Sequence, residues 1–439
     1  MRMTLVVSLA AAAACVLVAN AHAEDDAVVR AARVYVKEAQ EAAKAGRSQA
    51  ALDAWLQAHA LRPYHGAIAF ELAAACAAAG RIDDATAWLK LVGEMGFAFP
   101  TENREDLRAC RAQAACRDAL AALERNRQPK ATSTIAFKLA VPRLLPEGLA
   151  YDAASDSFFV SSVRQRLILK VGPSRQPQPF ADRSAGLWAA LGLAVDAPRK
   201  RLWVATAAMA EIADALPADE GKSALVALDL ATGRRVARYD LPPGRPHVLG
   251  DVIVAPNGDV FTTDSISPAL YRLPAGGGAL EPMAAGEPFV SLQGLALSAD
   301  GARIFVADYA KGLFAVDLES RRVRLLDAPR TAGILGIDGL YRAGDDSLIG
   351  VQNGTAPPRL LRLRVEGDRI TSVEVLEAGH PSAPDPTLGV VVGDRFYYIG
   401  NSQWEAARPG GQMDPKVKAE DPVILQVELT KAGGALPPR

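Results

Sequence analysis

The order of apolar and polar positions changes character once along this chain. From residue 24 to residue 128 apolar side chains recur at helical spacing, in a segment rich in Ala, Leu, Glu and Arg and poor in Pro and Gly. A polar connector, Arg127-Gln128-Pro129-Lys130-Ala131-Thr132, ends that pattern. From Ser133 to residue 431 short apolar runs alternate with turns of Gly, Asp, Asn and Pro, as in β-strands joined by tight connections. One kind of run recurs six times. It opens at Glu147-Gly148-Leu149, Leu191-Gly192-Leu193, Gly250-Asp251-Val252, Gln293-Gly294-Leu295, Asp338-Gly339-Leu340 and Leu388-Gly389-Val390. The intervals are 44, 59, 43, 45 and 50 residues, the size of a four-stranded blade. A second strand is expected after each, as in Arg201-Leu202-Trp203-Val204-Ala205, and an insertion near Met209–Glu220, expected to be helical, lengthens the second interval. The fold class is therefore mainly β: a six-bladed β-propeller over 133–431, preceded by a small all-α domain over 24–128 and followed by a tail, 432–439. Thr134 to Leu139 is expected to close the ring beside Val423 to Val427, which would remove exposed sheet edges.

Within the helical segment Gly46-Arg47 and Gly80-Arg81 stand 34 residues apart, as do Ala51 and Ala85. Small alanines let paired helices approach closely, glycine allows the turn between them, and Pro63 follows a helix end. Over residues 30–100 this resembles a tetratricopeptide repeat segment, whose period is about 34 residues. The resemblance implies a groove that docks a protein partner; the alternative is that the helices pack against the domain that follows. Residues 102–126 would cap the stack, and Trp55 and Trp88 are expected as core anchors.

Charge and composition exclude several functions. The formal charge is -1, so no basic excess drives binding to nucleic acid or anionic lipid. Residues 1–23 read as a secretory signal: Arg2, an apolar core from Leu5 to Ala19, and Ala21-His22-Ala23 before Glu24. Plain alanines precede Cys15, which argues against lipoprotein processing there. Without a later apolar span, the mature chain is expected to be exported, soluble and, in a Gram-negative source, periplasmic. Export permits disulfides. Cys76, Cys110 and Cys116 would remain, and Cys110 and Cys116 can pair if a helix ends between them. No Gly-x-Ser-x-Gly, phosphate loop or dinucleotide fingerprint is present.

Candidate chemistry lies at the start of the inner strands. There a propeller brings first side chains to its axis, so Glu147, Asp251, Asp338 and the amide of Gln293 are expected to share one channel. Confined carboxylates repel, and a cation relieves them. Oxygen ligands without His or Cys select a hard ion, Ca²⁺ before Mg²⁺, Mn²⁺ or Zn²⁺. Such an ion would polarise a carbonyl or acidify a water, and Asp338 could accept the proton. Asn353 and Trp404 are expected on loops at the mouth of the site and His247 before the third blade, all three as candidates for binding substrate. Asp264 and Asp308 read as turn partners.

These same residues carry a resemblance. Glu147-Gly148, Asp251, Gln293-Gly294 and Asp338-Gly339, over residues 140–430, are similar to the pattern of the SMP-30/gluconolactonase/LRE-like propellers. That resemblance implies a divalent metal on Glu147, Gln293 and Asp338. It implies Asp338 as the base in lactone hydrolysis, with Asp251 helping to bind substrate or metal. Two positions depart from it: Gln293 stands where the family has asparagine, and Gly250 where it has the asparagine of an Asn-Asp pair. Two functions follow as expectations: a metal-dependent hydrolase of a lactone or related ester, and a propeller that binds a small ligand while the helices dock a protein.

Overall fold

The computed structural model describes residues 26–344 and 347–429. The signal peptide expected at 1–23, with Cys15, and the tail at 432–439 lie outside the described residues.

The chain begins with helices α1 (Ala27–Lys44), α2 (Ser48–Leu61), α3 (Gly66–Ala78) and α4 (Ile82–Glu94), followed by α5 (Arg108–Ala112) and α6 (Ala114–Asn126). The starts of α2 and α4 are 34 residues apart. The glycines ahead of them, Gly46 and Gly80, have φ of 69° and 77°, the left-handed turn that closes the preceding helix. Alanines dominate the shared core with Leu52, Trp55, Phe70, Leu72 and Leu89, so the helices pack at close range. Trp55 is buried there and Trp88 packs against its rim. Helix α5 ends at Ala112, and Cys110 is bonded to Cys116 on the next helix; Cys76 is free and buried.

Six four-stranded antiparallel sheets follow. Their innermost strands are Pro146–Asp152, Ala189–Asp196, Leu249–Val254, Leu292–Leu297, Gly339–Arg342 and Gly389–Val392. Each packs beside the next, and the last beside the first, so they enclose an axis. Thr134–Lys138 pairs with Val423–Glu428 as the outer strand of blade six, with Ile135 opposite Leu425. The first strand thus closes the last blade and covers the outer edge of Val423–Glu428. One expectation fails. The Met209–Glu220 insertion holds no α-helix, only a single 3₁₀ turn at Pro217–Asp219. Pro217 opens that turn and Asp214 adopts φ 56°, a left-handed residue that a helix cannot continue through.

The helices and one long loop occupy the same end of the propeller. Call the end at which inner strands begin the upper end; the connections from second to third strands lie there too. Arg62 donates to Ala310 O (2.7 Å) and Tyr64 to Ala328 O (3.0 Å), both on upper connections of blade four. Arg359, at the start of blade five's third strand, donates to Met95 O (2.7 Å) and stacks over Phe97. On the opposite side, residues 400–422 of blade six form a strap. Gly410 N donates to Ala210 O (2.7 Å) in blade two and Arg164 of blade one donates to Gly411 O (2.6 Å), so the strap crosses from blade six to blades one and two. Among the described residues, no helix is long and apolar enough to cross a membrane.

Candidate functional site in the propeller channel

The inner strands of blades one, three and four share a local irregularity that decides where Glu147, Asp251 and Gln293 stand. Pairing with the second strand slips between Pro146 and Leu149, between Leu249 and Val252, and between Leu292 and Leu295. Two residues bulge out at each slip, a device that re-aims side chains. In blade one they are Glu147-Gly148, in blade four Gln293-Gly294, and in blade three Gly250-Asp251. Asp251 therefore stands one residue further down its strand than Glu147 or Gln293, in the place the other blades give to glycine.

The glycine is demanded by close approach rather than by backbone angle. A Cβ on Gly148 would lie 2.1 Å from Leu191 O, and one on Gly294 2.3 Å from Leu340 N. Across the same gaps Gly294 N donates to Asp338 O (2.6 Å), while Ser161 Oγ accepts from Gly148 N and donates to Leu191 O (2.7 Å each). Neighbouring blades touch backbone to backbone here, and the polar residue beside each glycine is drawn into the ring.

Glu147, Asp251 and Asp338 are all buried, at 5%, 7% and 3% exposure. Burial pushes the Glu147 carboxyl well up, and the charges of Asp338, Asp385 and Asp251 push it further. Burial likewise raises Asp251 to about 7, with Asp338 adding to the effect. Asp338 is raised by burial and by Asp385. The acids are thus close enough to disfavour one another's charge. Trp404 Nε1 donates to Glu147 Oε2 (2.7 Å), Asn353 Nδ2 to Asp338 Oδ2 (2.7 Å), and Gln293 Nε2 to Ser291 Oγ (3.0 Å). Among the described residues, no donor reaches the second oxygen of Glu147 or Asp338 or the amide oxygen of Gln293. None of these is among the buried atoms lacking a partner, so each reaches open space.

The other sequence candidates fall in different places. Asn353 sits at the ring: besides Asp338 it donates to Pro386 O (3.1 Å) and accepts from the Tyr309 hydroxyl (3.0 Å). Trp404 is buried, its backbone N–H on Asp385 Oδ2 (2.8 Å), and touches Glu147 directly rather than standing open at the mouth. His247 is buried away from these contacts, Nδ1 facing Asp264 Oδ2 at 2.5 Å. Asp264 also accepts from the backbone of Val248, Ile266 and Ser267, and Asp308 from Val290, Ser291, Ala310 and Lys311; both organise turns.

Two ring residues escaped the sequence reading. Asp385, three residues ahead of Leu388, accepts from Ser402 Oγ (2.6 Å) as well as Trp404 N and so anchors the strap. Burial raises it to about 6. Tyr341, two residues beyond Gly339, accepts from Gly389 N (2.8 Å). Burial and the charges of Asp251, Asp338 and Glu147 push its phenol well up. The signal for both was proximity to a repeat motif, obscured because neither repeats.

The donors available to a cation are oxygens only, which fits a hard ion better than zinc. Among the described residues no three His, Cys, Asp or Glu side chains stand close enough to enclose a metal by themselves. A cation here would need the amide oxygen of Gln293 and water beside Glu147 and Asp338.

No protein-family model matches the chain, and no curated protein matches it. Solved structures similar to it include a gluconolactonase from Xanthomonas campestris, at 18% identity over 67% of this chain and 95% of that one, TM-score 0.46. A calcium-binding regucalcin from Agrobacterium tumefaciens is 16% identical over 67% and 93%, TM-score 0.46. A luciferin-regenerating enzyme is 14% identical over 69% and 95%, TM-score 0.46.

Proposed function

We propose that this chain is a metal-dependent hydrolase that opens a lactone or related ester in the propeller channel. The observation that carries the reading is the buried meeting of Glu147, Asp251 and Asp338, each with its carboxyl raised by burial and by its neighbours. Glu147, Asp338 and Gln293 would hold a hard divalent cation, Ca²⁺ first, which when bound supplies polarisation of a carbonyl or water. The remaining work belongs to side chains. Asn353 fixes one oxygen of Asp338 by hydrogen bond; the other, which would face the cation, takes a proton from water as it attacks the carbonyl carbon. The ring C–O bond then breaks, the alkoxide takes up that proton, and lactone plus water gives the hydroxy acid. Trp404 holds Glu147 in place, and Asp251, which lines the axial cavity, would help to bind substrate.

The test is turnover of a lactone panel with added Ca²⁺, Mg²⁺, Mn²⁺ or Zn²⁺, before and after Asp338→Asn. Loss of about 10²-fold or more in kcat, with KM little changed, is expected for a removed general base. Unchanged turnover in the variant would contradict the role of Asp338.

A second reading is a non-catalytic propeller that binds a small ligand. It is favoured by Trp404, whose indole already occupies one Glu147 oxygen. In either reading, we propose export through residues 1–23 to the periplasm and a protein partner for the helices.

A further inference from the structure

The connection that delivers Asp338 to the ring, residues 333–338, is gripped along its length by the end of blade five's second strand. Gln352 Nε2 donates to Gly333 O (2.8 Å) and Leu335 O (2.7 Å). Asp338 N donates to Val351 O (2.8 Å) and Gly354 N to Gly336 O (3.1 Å). Gln352 is wholly buried, so its amide has one satisfied orientation, with Nε2 toward the two carbonyls and Oε1 toward a donor. That donor is Arg359 Nε (2.7 Å). Arg359 is buried too, and among the described residues its other bonds go to neutral carbonyls, Gly333 O (2.9 Å) and Met95 O (2.7 Å). A buried cation bonded only to neutral groups is costly, and burial pushes this one down to about 9. The helices relieve it. Met95 caps α4, whose last turn, Leu91 to Glu94, has no basic residue of its own, and a helix C-terminus favours a cation. The guanidinium also lies over the Phe97 ring, 4.4 Å from its centre. The fit is close: a Cβ on Gly333 would stand 2.9 Å from Arg359 Nη2, and one on Gly96 2.9 Å from Nη1.

We infer that Arg359 is a positioning residue for Asp338, and that the C-terminal end of α4 together with Phe97 holds it in that place, so that the helices complete the site from outside the ring. The contacts run from α4 to Arg359, from Arg359 to Gln352, and from Gln352 to the carbonyls of Gly333 and Leu335 just ahead of Asp338. Gln352 also precedes Asn353, which fixes the Asp338 carboxyl, so both the backbone and the side chain of the acid rest on it. Without the guanidinium, Gln352 Oε1 is left unsatisfied in a buried place, and the amide can turn and release the two carbonyls. The inference rests on the proposed hydrolase reading only where it takes Asp338 as a cation ligand and base.

The experiment compares the full chain with Arg359→Met, Arg359→Lys, Phe97→Leu and Tyr64→Phe, by amide hydrogen exchange and by calorimetric titration of Ca²⁺. Exchange of the Gly336 and Asp338 N–H groups should quicken about tenfold in Arg359→Met, and less in Arg359→Lys and Phe97→Leu, while Gly148 and Gly294 N–H on other blades keep the parent's rate. The Ca²⁺ Kd should rise about fivefold in Arg359→Met, and kcat on a lactone that the parent opens should fall with KM unchanged. Tyr64→Phe cuts a helix–propeller bond, to Ala328 O, that does not pass through Arg359, and should leave both exchange and Kd as in the parent. Exchange at 333–338 unmoved in Arg359→Met, or moved equally by Tyr64→Phe, overturns the inference. Should Arg359→Met misfold, Arg359→Lys and Phe97→Leu decide in the same terms. A parent that neither binds Ca²⁺ nor opens a lactone removes the hydrolase reading, yet quickened exchange still upholds the role of Arg359.

Discussion

Trp404 and Asn353 show how much of this site depends on single hydrogen bonds. Each donates to one oxygen of a buried acid that, among the described residues, has no cationic side chain in contact. A carboxylate stripped of its donor in such a place is costly, by about 1–3 kcal/mol. Trp404→Phe keeps the packing of the strap and removes the Nε1 donor, so a stability loss of about that size is expected in chemical denaturation, together with impaired binding of Ca²⁺. Both candidates were visible in the sequence as polar or aromatic residues on fifth- and sixth-blade loops. Their partners were not, because a loop's reach across the axis is set by strap length and blade angle and not by local pattern. His247 illustrates the converse. A histidine just ahead of an inner strand looked available for substrate, yet Asp264, a turn organiser seventeen residues on, engages its ring.

At the level of the element, the inner strands explain why acid and glycine recur together. In blades one and four the bulge exposes its first residue to the axis, and the second must lack a side chain because the next blade's backbone lies against it. Gly148→Ala and Gly294→Ala each put a Cβ within 2.3 Å of a neighbour's backbone atom. Each should destabilise the propeller by about 1–3 kcal/mol, as overpacking does, and thermal unfolding of the purified variants checks this. The motif, the blade spacing and the closing strand were all legible, since each is written in a repeating pattern. What the pattern hid was the one-residue displacement of Asp251, because Gly250-Asp251 and the Asp338-Gly339 type contain the same residue types in opposite order. Asp385 and Tyr341 were missed for a related reason: neither repeats, and their place at the ring comes from burial that no single strand reveals.

Taken as a whole, the molecule holds its helices against the end of the propeller that carries the acids. His65 accepts from Ile68 N at the start of α3, close to this contact. Desolvation, ahead of the Arg62 cation, holds its imidazole down to about 3, against about 6.5 in an unfolded chain. Between those values the unfolded state binds a proton that the folded state refuses. The stability His65 allows is complete above about 6.5 and declines as pH falls toward 3, by at most about 1.4 kcal/mol per pH unit. The raised ring acids act in the opposite sense, so the test is a difference: His65→Asn, which keeps a capping oxygen, should lose less stability than the parent between pH 6.5 and 4. Arg359 is the other joint. It is buried, bonded to Met95 O, Gly333 O and Gln352 Oε1, and adjoins Asn353 through Gln352. Arg359→Met should release the helices to limited proteolysis while leaving the propeller folded.

Calorimetric titration of Ca²⁺ into the purified chain, beside Glu147→Gln and Asp338→Asn, bears most directly on whether acids from separate blades form one site. One Ca²⁺ per chain is expected in the parent, with binding weakened at least tenfold in each variant while the fold is retained. An absence of binding in the parent, or equal affinity in all three, would contradict a shared cation at the axis.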